Sequence, residues 1–340
     1  NPRIESGGSG AGETTPKSRR VASRARAEEV RAGEPSRLME PTAAPAACEI
    51  ARLPDDLLSA ALGRTGPLDA CRAAAVSPAF RAAADADAVW SSFLPPDLPP
   101  LADGELPADA TATKKQLFMR LSDPARPVLL ADGLTSMWLD RATVAKCYML
   151  SARKLTIIWG DTPQYWHWIP LTDSRFSECA ELQHVCWLEI RGKIPCDMLS
   201  RNTTYAAYMV FKMSDESYGL DYPLQEAEVS IGATRSTRQV CLGYVDDDED
   251  GEEVPQNYRS FGAVGNVFRP RVGRRNRRQP PGVHVLHPQT RAGGWMEMEM
   301  GEFRNEEGED GEVSVSLMET RGGNWKRGLT VQGIEIRVKK

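Results

Sequence analysis

The chain has 340 residues, 41% hydrophobic and 7% aromatic, and its 42 basic and 47 acidic side chains leave a formal net charge of −5. That length gives room for two or three domains. The near balance of charge carries no global nucleic-acid signature, and no stretch reaches the roughly 18 apolar residues of a membrane helix.

The N-terminal stretch has no charged segment followed by an apolar run, so a soluble protein of the cytoplasm or nucleus is expected. Seven cysteines (Cys48, Cys71, Cys147, Cys179, Cys186, Cys196 and Cys241) are scattered, and no two have C-x-x-C spacing. Four histidines supply too few further ligands for a tetrahedral metal site. Neither a disulfide scaffold nor a bound metal or other cofactor is expected.

Residues 1–47 are dominated by Gly, Ser, Ala, Pro, Arg and Glu. Such a segment buries too little apolar surface to offset its ordering entropy, and disorder is expected. From Ile50 the pattern changes. Leu53, Leu57, Leu58, Ala61 and Leu62 form a helical stripe that Pro54, Asp55 and Asp56 start and Gly63 can stop. A second helix is expected over 68–76. Ser77-Pro78 caps a third that carries Phe80 and Ala84, and Asp87 opens a fourth with Val89, Trp90, Phe93 and Leu94 before Pro95-Pro96. So short a unit is marginal alone, and its apolar residues exceed what short helices can hide, which points to a protein partner.

Leu53-Pro54-Asp55-Asp56-Leu57-Leu58, Ala74-Ala75-Val76-Ser77 with Phe80-Arg81, and Val89-Trp90 with Phe93-Leu94-Pro95 together resemble an F-box. The one mild departure is Asp55 where a Glu is more usual. The resemblance implies docking on the Skp adaptor of a cullin-type ubiquitin ligase through Leu53, Pro54, Leu57, Leu58, Leu62, Val76 and Trp90. It assigns the F-box to residues 48–98. Residues 99–136, rich in Pro, Ala and Asp, read as a linker packed on its neighbours, with an amphipathic turn or two around Lys114–Leu121 and a short apolar run at 128–130.

From Met137 to Lys340 the chain alternates as strands. Leu188 and Ile190 alternate with Glu189 and Arg191, Tyr205, Ala207, Met209 and Phe211 with Tyr208 and Lys212, and Ile334 and Ile336 with Glu335 and Arg337. Similar runs surround Met298, Val315 and Leu317. One-sided alternation implies antiparallel sheets packed as a sandwich. Ser151–Trp168 is the most aromatic stretch: two extended segments flank Gly160-Asp161-Thr162-Pro163, a hairpin or a corner. Its tryptophans either fill the core or face outward as a platform for a sugar ring.

LSARKLTIIWGDTPQYWHW, VCWLEIRGKIPCDMLSRNTTYAAYMVFK and GWMEMEMGEF, followed by GEVSVSLMET and LTVQGIEIR, resemble in order the phloem protein 2 or Nictaba-like lectin domain of plants. With the F-box, the whole is similar to plant F-box proteins of the phloem protein 2 type. The fold implied is a small all-α module followed by an all-β, jelly-roll-like antiparallel sandwich. The function implied is a non-catalytic substrate receptor that binds a glycan or glycoprotein containing N-acetylglucosamine or mannose. Trp159, Trp166, Glu312 and Glu319 match the residues implicated in sugar binding in that family. Trp159 and Trp166 flank the turn and could meet at its mouth, and Trp168 is expected in the core. Glu312 and Glu319 are seven apart, so an unbroken strand would put them on opposite faces.

An enzyme is not expected. Glycoside hydrolysis needs two carboxyl groups at a set distance and one of them buried, whereas the acidic loop around 306–312 reads as solvated, and no nucleophile–base spacing is present. The runs DDDEDGEE at 246–253 and RPRVGRRNRR at 269–278 read as solvated loops, the second alternatively as a nuclear-import or nucleic-acid patch. A β-sandwich that binds protein or peptide and has lost sugar binding is the alternative function.

Overall fold

The computed structural model describes residues 50, 53–106, 112–243, 284–306, 311–321 and 323–340. The segment 1–47 and the charged runs 246–253 and 269–278 lie outside the described residues.

Four short helices open the described chain: α1 (Asp55–Leu62), α2 (Pro67–Ala73), α3 (Pro78–Asp85) and α4 (Asp87–Phe93). Pro54 is the residue before α1 rather than part of its first turn, and the Ser77 hydroxyl accepts the Phe80 N–H at 3.3 Å to cap α3. A fifth helix, α5 (Lys114–Leu121), follows a full capping box. The Thr113 hydroxyl accepts the Gln116 N–H at 3.2 Å, and the Gln116 side chain accepts the Thr113 N–H at 2.9 Å. Its Phe118 ring lies 5.3 Å from Trp90, which also meets Phe93 at 5.7 Å and donates its indole N–H to the Ala84 carbonyl at 2.6 Å. Trp90 is thus the fully buried centre of the helical module.

The sandwich has two sheets. The larger runs β1 (Val128–Leu129), β2 (Thr135–Leu139), β3 (Lys146–Ser151), β15 (Arg327–Val338), β8 (Thr203–Tyr218), β13 (Met296–Asn305) and β12 (Gln289–Thr290). β6 (Cys179–Leu182) joins it on β15 and carries β5 (Trp166–Ile169). The smaller runs β11 (Val285–Leu286), β10 (Thr234–Val240), β9 (Gln225–Ile231), β14 (Glu312–Glu319), β7 (Leu188–Pro195) and β4 (Thr156–Ile157). Among the described residues all strand pairings are antiparallel except β10 with β11.

The strand alternation behaves as expected on the smaller sheet, where Leu188, Ile190 and Ile194 point into the core and Arg191 and Lys193 to solvent. On the larger sheet it does not, because the outer face of β8 is covered too. Val210 packs there in a second cluster with Trp138, Cys147, Met149, Phe176 and Trp295. Beside it, Arg337 lies over the Tyr208 ring at 3.7 Å and pairs with Glu297 at 2.7 Å and with Glu335.

The described residues of 99–136 form more than a connector. They supply α5, β1 and the start of β2, so the larger sheet begins at Val128, ahead of Met137. They also tie the module to the sandwich. Glu105 pairs with both Arg120 and Arg175, Arg141 donates to the Ser122 carbonyl at 2.9 Å, and just before this stretch Asp97 meets the buried Lys146 ammonium at 2.6 Å.

Candidate functional site

Ser151–Trp168 is a corner rather than a hairpin. β4 pairs with β7 in the smaller sheet, whereas β5 pairs with β6 in the larger, so the chain changes sheets between them. The turn is closed by the Gly160 N–H to the Ile157 carbonyl and the Thr162 N–H to the Trp159 carbonyl, both at 2.9 Å. Trp159 sits in it at φ 59°, a left-handed conformation that costs a bulky L-residue about 1–3 kcal/mol. Its side chain remains 41% exposed and packs on Tyr165 with centroids 5.0 Å apart. Polar groups flank the pair: the Gln183 N–H donates to the Tyr165 carbonyl at 2.9 Å, and the Gln183 side chain donates to Glu181 at 2.6 Å.

The other expected sugar contacts are not gathered here. Trp166 does not face Trp159 at the mouth of the turn; it is 2% exposed and belongs to the main core, because β5 turns it inward opposite Leu182. Trp168, expected in the core, is the half-buried one, with the Arg153 guanidinium 3.6 Å over its ring and its indole N–H donated to the Gly160 carbonyl at 2.9 Å. β14 is unbroken, so Glu312 and Glu319 do lie on opposite faces, about 23 Å apart along the strand. Glu312 is exposed and pairs with Lys193 at 2.8 Å. Glu319 faces inward, 4% exposed, and pairs with Lys326, which is wholly buried.

The same end of the sandwich presents aromatics that sequence reasoning did not assign. Trp187 is 42% exposed and donates its indole N–H to Glu189 at 2.8 Å; that bond first, against the opposing effect of burial, and Arg191 next hold the Glu189 carboxyl below its ordinary value. Trp325 is 48% exposed and packs against His184 with centroids 4.3 Å apart, and Tyr218 meets the same imidazole edge-on at 5.8 Å. The alternation of β7 was a usable signal for Trp187, since it falls with Glu189 and Arg191 on the polar face. Trp325 offered none, being separated from its partners by more than a hundred residues.

A groove of about 620 Å³ on the outer face of the larger sheet is lined by Glu297, Glu299 and Glu335, each ion-paired to an arginine or lysine. Among the described residues no group of three or more His, Cys, Asp or Glu is placed to hold a metal.

The phloem protein 2 family profile matches residues 145–338, which is the sandwich. F-box protein PP2-B1 of Arabidopsis thaliana is 40% identical over 307 residues, covering 84% of this chain and 88% of that protein. F-box protein PP2-B10 of the same plant is 40% identical over 290 residues, covering 84% and 93%. This chain is a plant F-box protein of the phloem protein 2 family. A solved CBM22-1 xylan-binding domain from Paenibacillus barcinonensis is also similar, at 10% identity and a TM-score of 0.26 over 56% of this chain and 88% of that one, too low to bear on fold or ligand.

In the F-box the expected docking residues divide in two. Leu53, Leu57 and Val76 are exposed, Leu57 at 51% and Val76 at 70%, and Pro54 and Leu68 are exposed with them. Leu58, Leu62 and Trp90 are interior: α1 turns the first two toward the other helices, and Trp90 is held between Phe93 and Phe118. These three can support a docking face but do not form one.

Proposed function

We propose that this protein is the substrate receptor of a cullin-type ubiquitin ligase, its F-box docking on the Skp adaptor and its sandwich binding a glycan or glycoprotein. The ligand contains N-acetylglucosamine or mannose. The observation that carries the sugar half is Trp159, an exposed indole kept in a strained backbone conformation and stacked on Tyr165. A ring face for the C–H side of a sugar, with Gln183 and Glu181 beside it for hydroxyls, is the combination sugar recognition requires. The ligase half rests on family membership and on the exposure of Leu53, Leu57, Leu68 and Val76, since several large aliphatic side chains left in water on a small helical unit point to a protein interface.

In this reading Trp166 supports Tyr165 and the corner from within and does not touch the ligand. The chain contributes proximity, and the transfer chemistry belongs to other subunits.

The test is a paired binding experiment on the full chain, with purified Skp adaptor and with N-acetylglucosamine and mannose oligomers. Leu57→Arg should lose the adaptor, and Trp159→Ala should lose the sugar. A folded chain that binds the adaptor but no oligomer would return the sandwich to the protein-binding alternative.

A further inference from the structure

We propose that His184, Tyr218 and Trp325 form a second aromatic subsite that extends the Trp159–Tyr165 platform and takes the next rings of an extended, uncharged oligosaccharide. The proposal rests on the sugar reading above and names the ligand class for that site.

Three observations lead to it. The first is position. Tyr165 is bonded to Gln183, and two residues further Val185 is bonded to Lys326, the neighbour of Trp325, through N–H to carbonyl contacts of 3.1 and 2.7 Å. Two residues of chain span at most about 7 Å, so the backbone positions that carry the two aromatic groups lie close together. A single sugar covers one of them, and a chain of sugars is needed to cover both.

The second is rigidity. A free surface tryptophan would have no need of such support, yet the segment carrying Trp325 is pinned from beneath. The buried Lys326 ammonium pairs with Glu319 and donates to the Asn324 carbonyl at 2.7 Å. Removing two charges from water is costly, and the pair brings specificity of placement rather than net stability. Gly219 adds to this: at φ +71° it lies so close that a Cβ there would overlap the Trp325 carbonyl. Aromatic rings already fixed in place lose little freedom when a ligand stacks on them.

The third is charge. Arg327, beside Trp325, is paired with Glu216 at 3.5 Å, and Lys326 is paired internally. Burial first, and the Arg327 charge second, hold the His184 imidazole below its ordinary value and so favour its neutral form. The Trp325 segment therefore offers ring faces and hydrogen-bonding edges beside cations that are already paired, which suits a polyhydroxyl chain. Glu319 acts here as a positioning residue, through Lys326.

The experiment is isothermal titration of the full chain with N-acetylglucosamine oligomers from mono- to pentasaccharide. For the native chain affinity should rise about tenfold between the short and the long oligomers, the scale of one added stacking contact. Trp325→Ala should abolish that rise, making affinity independent of length, and Trp325→Phe should restore most of it. A length dependence that survives Trp325→Ala, or its absence in the native chain, overturns the second subsite and leaves the first standing. No binding to any oligomer overturns the sugar reading and this proposal together. Thermal midpoints close to that of the native chain confirm that the exposed substitutions act on the ligand and not on folding.

Discussion

The helical module and the aromatic rim of the sandwich both leave apolar side chains in water, yet they do it differently. On the module, Leu53, Leu57, Leu68 and Val76 are aliphatic and exposed on a unit whose core is centred on Trp90. On the rim, Trp159, Trp187 and Trp325 stand apart, each braced by a neighbour and edged by polar groups. Exposed aliphatic side chains gain most when another protein excludes water from them. Separate braced rings suit a ligand that presents one flat apolar face after another. What is exposed matters less than what holds it in place.

That contrast can be broken first at its supports. Lys326→Met, which leaves the buried Glu319 carboxylate without its counter-charge, should cost about 3–5 kcal/mol in urea denaturation, and adding Glu319→Leu should recover much of it. Trp90→Ala should cost a similar amount, about 3–5 kcal/mol, by leaving a cavity between α4 and α5. An equal loss for Leu57→Ala would mean that this side chain is core and not interface; a change within about 0.5 kcal/mol is expected.

A smaller and more telling effect belongs to Trp159→Gly. Glycine adopts φ 59° without strain, so unfolding free energy should stay level or rise by up to about 1 kcal/mol while sugar binding disappears. A clear loss of stability would show that the indole is there to pack.

The smallest effect is on acid stability, away from both surfaces. Burial would raise Glu297 and Glu299, but Arg337 for the first, and Lys339 and Arg238 for the second, outweigh it and leave both below the ordinary glutamate value of 4.5. Their folded values being depressed, they add stability above pH ~4.5 that is lost as pH falls through the folded values. Glu297→Gln should flatten the fall of thermal midpoint with pH below about 4.5, and an unchanged slope would contradict the assignment.

The sandwich was legible from alternation because most of its strands have one face in the core, as β7, β9 and β14 do. The helices were legible from caps and stripes, α3 through Ser77-Pro78 above all. What alternation missed was the second layer: the outer face of β8 is covered by the loop bearing Phe176 and by paired charges, and neither has a local signature. The site was half legible. Trp159 was picked out by its turn, and the parity of Glu312 and Glu319 was readable by counting. Trp166 and Trp168 were exchanged, because which of two same-face tryptophans is covered depends on where the chain changes sheets. Trp325 joins His184 only in three dimensions.

The most direct test of the division between the two surfaces is a crossed titration of two full-length variants against both ligands, purified Skp adaptor and N-acetylglucosamine oligomer. Leu57→Arg should lose the adaptor and keep the sugar, and Trp159→Gly should lose the sugar and keep the adaptor. Either variant losing both ligands while still folded, or neither losing its own, would contradict the account.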